Sequence, residues 1–191
     1  HSDTNISKAG IVLCLSTGLR LGEICALKWS DIDMEQMLLR VNRTVQRIEM
    51  KTGRTKTALL ETEPKSAFSL REIPIPQNLI DLLAPFKREG TEYVLCAGKP
   101  MEPRTYQNHF KAYLREIGGS DYNFHTLRHT FATNCIDSGM DIKSLSEILG
   151  HSDVQITLNR YVHPTMDTKR KHMNALSASY SRFCEPEAGK I

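Results

Sequence analysis

Apolar and polar positions repeat along this chain with two different periods, one suited to helices and one to strands. ISKAGIVLCLSTG, from Ile6, spaces its apolar residues for one helix face and predicts a helix ended by Gly18. RLGEICALKWSDID predicts a second, shorter helix with Leu21, Ile24, Cys25 and Leu27 on its buried stripe. The period then changes. LLRVNRTVQRIEM alternates, is rich in β-branched residues and predicts a strand, with KTGRT as the following turn. TKTALLETEP and FSLREIPIP predict two more short strands, the last held to an edge or its end by Pro74 and Pro76. QNLIDLLAPFKREG returns to helical spacing, and EYVLCAGKPM reads as a short strand and turn. PRTYQNHFKAYLREIGG reads as a helix with Pro103 near its start and a glycine pair after its end. Beyond Phe124 the spacing predicts helices near Thr126–Ser138, Ile142–Leu149, Val154–Tyr161 and Met166–Ser179, punctuated by Gly139, Gly150 and Pro164. The expected fold class is α+β, mostly α, with a small antiparallel β-sheet near the N-terminal third.

The length, 191 residues, suits one large domain, or one with a small appendage. Hydrophobic residues at 40% and charged residues at 25% describe a folded rather than a disordered chain. No apolar run approaches the roughly 20 residues of a membrane span, and HSDTNISKAG lacks a secretory signal pattern. The chain opens without methionine, straight into a helix-like segment, and reads as a piece of a longer protein. Cys14, Cys25, Cys96, Cys135 and Cys184 form no CxxC pair and are expected as buried, reduced thiols of a cytosolic protein.

A net charge of +3 permits nucleic-acid binding without requiring it. The distribution says more. Arg40, Arg43, Arg47, Lys51, Arg54, Lys56, Lys65 and Arg71 stand against Glu49, Glu61, Glu63 and Glu72. Such a strip is either a solvated sheet edge guarded against aggregation or a face turned to phosphates.

Several polar groups sit where local structure does not require them. Arg20, between Gly18 and Gly22, opens a helix whose dipole prefers acidic groups, and by itself it reads as a salt bridge to Glu23 or Asp31. His125 and Arg128 share one helix face in HTLRH. His125 and His129 have metal-ligand spacing, but the glutamate of a zinc hydrolase helix and a clear third ligand are missing, so no metal is expected. His151 follows Gly150, with Ser152 or Asp153 placed to cap the next helix. Tyr161 falls on the apolar spacing of Val154, Thr157 and Leu158, and alone reads as a core-edge residue.

Taken together, two arginines, two histidines and a tyrosine suit phosphoryl transfer on a DNA phosphodiester. Guanidiniums bind nonbridging oxygens and stabilise the charge that builds on attack. A tyrosine hydroxyl is a weak nucleophile at neutral pH and gains from nearby cations and a base. The leaving 5′ oxygen needs a proton, which a lysine such as Lys65 could give.

TGLRLGEICALKWSDID followed by HTLRHTFATNCIDSGMDIKSLSEILGHSDVQITLNRYVHP resembles, in order and spacing, the catalytic domain of the tyrosine recombinases, the phage-type integrases. It looks most like integrases of conjugative transposons and related mobile elements. The resemblance implies a tyrosine recombinase (DNA breaking-rejoining enzyme) catalytic domain over residues 1–180 and a tail over 181–191. The family's upstream core-binding domain is expected to be absent from this chain. Arg20 and Arg128 would bind the scissile phosphate, and Glu23 would support the site. Lys65 would be the general acid, with Lys51 and Lys56 open as alternatives. His125 would act as base or orienting group, His151 would contact the phosphate, and Tyr161 would be the nucleophile. Arg43, Arg47 and Lys56 are the expected DNA-binding residues.

The resemblance further implies site-specific recombination, the integration or excision of a mobile element, through a 3′-phosphotyrosyl intermediate with no cofactor. Expected partners are double-stranded DNA at recombination sites and three further copies in a tetramer on DNA. Exchange of the segment after Tyr161 between subunits, an accessory excision factor, and a bacterial cytoplasmic, nucleoid-associated setting belong to the same reading. Two rivals stand beside it. MDIKSLSEILGHSDVQITLNRYV also resembles a helix-turn-helix regulator. A type IB topoisomerase shares the tyrosine chemistry.

Overall fold

A computed structural model describes residues 2–49, 57–63, 67–87, 89–161 and 166–184. Helix α1 (Ser2–Thr17) is the central post, touching α3 (Gln77–Leu83), α4 (Pro103–Glu116) and α5 (His125–Asp137). Leu13 and Cys14 on α1 are fully buried, in a core shared with Ile24, Leu39, Ile73, Leu83, Tyr106 and Phe124. A smaller cluster of Phe131, Ala132, Cys135, Leu145 and Leu149 joins α5 to α6 (Ile142–Leu149), and Tyr161, the last residue of α7 (Val154–Tyr161), packs against it. Helix α8 (Met166–Cys184) follows.

The helix boundaries follow local chemistry. Glu102 accepts the Thr105 amide to start α4, with Pro103 in the first turn. Asp141 accepts the Ser144 amide to start α6, and Asp153 accepts the Gln155 amide at α7. Helix α6 ends in a Schellman arrangement: the His151 amide donates to Ser146 O and the Gly150 amide to Glu147 O, with Gly150 at φ +65°.

The expected single sheet is two. Strands β1 (Ile32–Asp33), β2 (Leu38–Val41) and β5 (Arg71–Pro74) form an antiparallel sheet in the order β1-β2-β5, with Leu39 opposite Ile73. Strands β3 (Thr44–Glu49) and β4 (Thr57–Thr62) form a separate hairpin. LLRVNRTVQRIEM is therefore broken into β2 and β3. Its break, Asn42–Arg43, turns both side chains onto the buried carboxylate of Asp31, which draws the backbone out of the ladder. β5 lies at an edge, as its prolines require, but FSL before it is a 3₁₀ turn (Ala67–Ser69).

EYVLCAGKPM forms no strand of its own. Its backbone runs along the extended chain leaving α2 (Leu21–Ala26), with one β-bridge between Lys28 and Tyr93 and amide bonds Trp29 to Glu92 O and Val94 to Leu27 O. The second helix stops at Ala26, and a 3₁₀ turn covers Trp29–Asp31. Ile24, Cys25 and Leu27 are buried as expected, while Leu21 is half-buried. The last helix runs on to Cys184, into the segment expected to be tail. Cys14, Cys25 and Cys135 are buried free thiols, and Cys96 is half-buried. Burial pushes the Cys14 and Cys135 thiols up, leaving both protonated and inert at neutral pH.

Candidate active site

The site is built around the carboxyl end of α6. The last carbonyls of a helix lack internal partners and carry the negative end of its dipole, so they attract cations. The Schellman bonds satisfy Ser146 and Glu147. The next three carbonyls are each taken by a different arginine. Arg71 Nε donates to Ile148 O at 2.6 Å, Arg128 Nη2 to Leu149 O at 2.6 Å, and Arg20 Nη2 to Gly150 O at 3.1 Å. Residues far apart in the sequence thus meet on one turn of backbone.

Arg128 is almost wholly buried, at 2% exposure, although it is an arginine. Besides Leu149 O it donates to Gly18 O at 2.7 Å, and its Nη2 lies 3.1 Å from His151 Nε2. Burial first, and then the charge of Arg20, pulls its pKa down to about 9, so it remains a cation at neutral pH. Gly18 is needed where it stands. Its φ is +66°, and a Cβ there would fall 2.5 Å from Phe131 Cδ1. The glycine both ends α1 and brings its carbonyl under Arg128.

His151 is held at both ring nitrogens. Arginine has no acceptor, so its contact with Nε2 is a hydrogen bond only if Nε2 carries the lone pair. Nδ1 then bears the proton and donates to Thr157 Oγ1 at 2.8 Å; Thr157 is fully buried. Partial burial, followed by the charges of Arg128, Arg20, Arg160 and Arg71, pushes the His151 pKa down to about 4. The ring is neutral at physiological pH.

Glu23 lies behind the arginines, 4% exposed. It reaches back to the Arg20 amide at 2.8 Å, fixing the first turn of α2, and accepts Arg20 Nη1 at 2.8 Å. Arg71 grips the same carboxylate with Nη1 at 3.0 Å and Nη2 at 2.8 Å. Burial alone would raise the Glu23 pKa. The bonds and charge of Arg71, with those of Arg20, outweigh it and hold the pKa at about 2. Arg20 and Arg71 share this one carboxylate and Arg128 is held beside them on Leu149 O, an excess of positive charge suited to an anion.

Tyr161 closes the site from α7. Its ring lies 5.5 Å from that of His129, and the His129 ring lies 4.7 Å, edge-on, from that of His125. The Tyr161 hydroxyl is buried and has no hydrogen-bond partner among the described residues. A buried hydroxyl without a partner costs about 1–3 kcal/mol, so its presence calls for an explanation. Burial first, aided by neighbouring cations, lowers the pKa of His125 and of His129, so both rings are neutral at pH 7.

Arg20, Glu23, Arg128, His151 and Tyr161 are brought together, with His125 one ring removed. Lys65, Lys51 and Lys56 lie outside the described residues. In chain order Lys51 and Lys56 fall between β3 and β4, and Lys65 falls after β4. The described members of the basic strip are engaged within the protein. Arg43 binds Asp31 and Glu61, Arg47 binds Glu102 and Thr57, and Arg40 binds Glu72 and Asp33. Arg20 does pair with Glu23, as its local reading expected, without leaving the site.

Three residues of the site carry little signal in the sequence. Arg71 stands there only as a member of the basic strip, although it shares the face of buried Ile73, two residues on along β5, and so faces inward. Thr157 gives no separate signal, and His129 stands out only through its i, i+4 spacing with His125, set aside above as a metal site.

The sequence pattern of the Phage integrase family matches residues 2–168. The chain belongs to that family. It is 33% identical over 190 residues to a tyrosine recombinase XerC-like protein of Caldanaerobacter subterraneus subsp. tengcongensis, covering 89% of this chain and 49% of that protein. It is 27% identical over 191 residues to the transposase from transposon Tn916 of Enterococcus faecalis, covering 87% of this chain and 44% of that protein. Among solved structures, the Tn1549 transposon integrase in complex with transposon right end DNA superposes with a TM-score of 0.76 at 28% identity, over 90% of this chain and 59% of that one. The chain spans about half the length of the curated relatives it matches. Among the described residues no helix is long and apolar enough to cross a membrane.

Proposed function

We propose that this domain breaks and rejoins DNA at specific sites through a covalent tyrosine intermediate. The observation that carries the reading is the convergence of Arg20, Arg128 and His151 on the end of α6, with the Tyr161 hydroxyl, unpartnered among the described residues, beside them. Family membership and the likeness to transposon integrases support it.

Arg20 and Arg128 take the nonbridging oxygens of the scissile phosphate and stabilise the second negative charge that builds there. The Tyr161 oxygen attacks phosphorus, a P–O bond to Tyr161 forms, and the bond to the 5′ oxygen breaks. The tyrosine proton passes to neutral His125, directly or through water, and a lysine, Lys65 by the family match, protonates the 5′ oxygen. The product is a 3′-phosphotyrosyl ester with a free 5′ hydroxyl. Attack by a 5′ hydroxyl of another duplex reverses the step, and the ester conserves the energy of the broken bond. Four copies around two duplexes complete an exchange. An accessory excision factor and subunit exchange of the segment after Tyr161 fit the same scheme, as does a cytoplasmic place on the nucleoid.

The regulator reading is not favoured. A helix-turn-helix reads DNA with its second helix and gives no purpose to the gathering of Arg20, Arg128 and His151 at the end of α6. A topoisomerase would form the same adduct, and relaxation of supercoiled circles without any joined product would distinguish it.

The test is trapping. The intact protein is mixed with nicked suicide duplexes tiling the DNA that flanks its coding gene. A species that survives boiling on a denaturing gel, and is absent with Tyr161→Phe, is expected. An adduct of equal yield in the phenylalanine variant would remove Tyr161 from this role.

A further inference from the structure

Two arginines grip Glu23, and they are not equivalent. The Arg71 side chain is 5% exposed and that of Arg20 is 36% exposed. Arg71 spends four of the five N–H groups of a guanidinium on fixed protein acceptors: one on Ile148 O, one on Ser69 O and one on each Glu23 oxygen. Arg20 spends two, on Glu23 and on Gly150 O, which leaves three unengaged among the described residues. Arg71 is therefore closed to ligand and Arg20 is open to it.

The geometry of Glu23 sharpens the difference. Its two oxygens accept four donors, two from each arginine when the Arg20 amide is included. If Arg20 turned outward toward a phosphate with Arg71 absent, a buried carboxylate would lose its last hydrogen-bonded cation among the described residues. Uncompensated buried charge is strongly disfavoured. Arg20 would instead stay bound to Glu23.

We propose that Arg71 is a positioning residue for DNA cleavage: it is the standing counter-ion of Glu23, and so frees Arg20 to engage the scissile phosphate. This rests on the reading of Arg20 and Tyr161 given above. It assigns Arg71 no contact with DNA.

The experiment is the rate of adduct formation by the intact protein on nicked suicide duplexes, with unfolding midpoints and duplex retention measured on the same samples. Arg71→Gln is expected to slow adduct formation about 30-fold or more, with duplex retention kept, because Glu23 then sequesters Arg20. Removing the charge that sequesters it should restore the rate, so Glu23→Gln combined with Arg71→Gln is expected to be at least about tenfold faster than Arg71→Gln alone. A residue that only braces the fold would give the opposite order, because the double variant loses more bonds. Arg71→Lys keeps the charge and is expected to retain most of the rate. It carries the test with the double variant if Arg71→Gln does not fold.

An Arg71→Gln protein that cleaves at the wild-type rate overturns the proposal. So does a folded double variant no faster than the single one, or an Arg71→Lys as slow as Arg71→Gln. If wild-type protein forms no adduct while retaining the duplex, the Tyr161 reading falls and this inference falls with it. If the wild-type adduct forms and one of the other results appears, only the inference falls.

Discussion

Glu23→Gln offers a direct measure of how the site is charged. In the folded protein the Glu23 pKa is held at about 2, against an ordinary value of 4.5. The folded state thus prefers the carboxylate, and the preference contributes stability above pH 4.5 that is lost as pH falls toward 2. A shift of that size corresponds to about 3 kcal/mol in full and about 2 kcal/mol by pH 3, with the unfolded chain titrating at the ordinary value. Burial at 4% exposure keeps solvent screening small. The assay is urea unfolding of wild type and Glu23→Gln at intervals from pH 6 to pH 3. All other carboxylates titrate in both proteins and cancel in the difference. The stability gap between the two proteins should shift by about 2 kcal/mol across that interval, against wild type as pH falls. A gap independent of pH would mean that Glu23 is not ionised between Arg20 and Arg71, and the electrostatic account of the site would fail.

The same geometry sets three further outcomes. Gly150→Ala forces φ +65° on a residue with a Cβ, which would sit 3.1 Å from Phe68 O and Arg71 Cδ; denaturant titration should show a loss of about 1–2 kcal/mol, and an unchanged midpoint would refute the left-handed cap. Thr157→Val removes the acceptor of the His151 Nδ1 proton inside a closed contact. It should cost about 1–3 kcal/mol in unfolding free energy and slow adduct formation, and the absence of both changes would count against the assigned tautomer. His151, with its pKa lowered from 6.5 to about 4, is protonated sooner in the unfolded chain than in the folded one. Stability should therefore fall as pH drops from 6.5 toward 4, and nuclear magnetic resonance titration of the ring should find it neutral at pH 6.

The helical part of the fold is legible in the sequence because its signals are local. Ile142–Leu149 and Val154–Tyr161 can be placed to the residue, since Asp141 and Gly150 bound one helix and Asp153 starts the other. The strands are less so. Nothing in LLRVNRTVQRIEM reveals that Asn42 and Arg43 leave the ladder for Asp31, because that partner is set by tertiary packing. EYVLCAGKPM has strand composition, but it finds only the chain after α2 to pair with. The pairing of the strip's described arginines is hidden for a related reason. Charges counted along the sequence omit Asp31 and Glu102, which fold back onto Arg43 and Arg47. For the site, chemistry-bearing side chains can be chosen by type and spacing, whereas their anchor cannot. That anchor is three backbone carbonyls, and carbonyls have no signature in a sequence.

Why three arginines should be spent on carbonyls has a physical answer. A guanidinium that waited in water for a phosphate would have to lose rotamer freedom and hydration when the substrate arrived. Here part of that ordering is met in folding. Arg128 is fixed by Gly18 O and Leu149 O, and Arg20 by Gly150 O and Glu23, before any anion is present. The end of α6 offers negative partial charge without a formal charge, so it orients the arginines without neutralising them. A second carboxylate in its place would orient them equally well and cancel the field that a phosphate needs. The arrangement thus separates two duties that usually conflict, holding a cation still and leaving it electrostatically free. Among the described residues Glu23 is the one full negative charge in the arrangement, and it is gripped through both oxygens by Arg71, the arginine with the fewest donors left to offer.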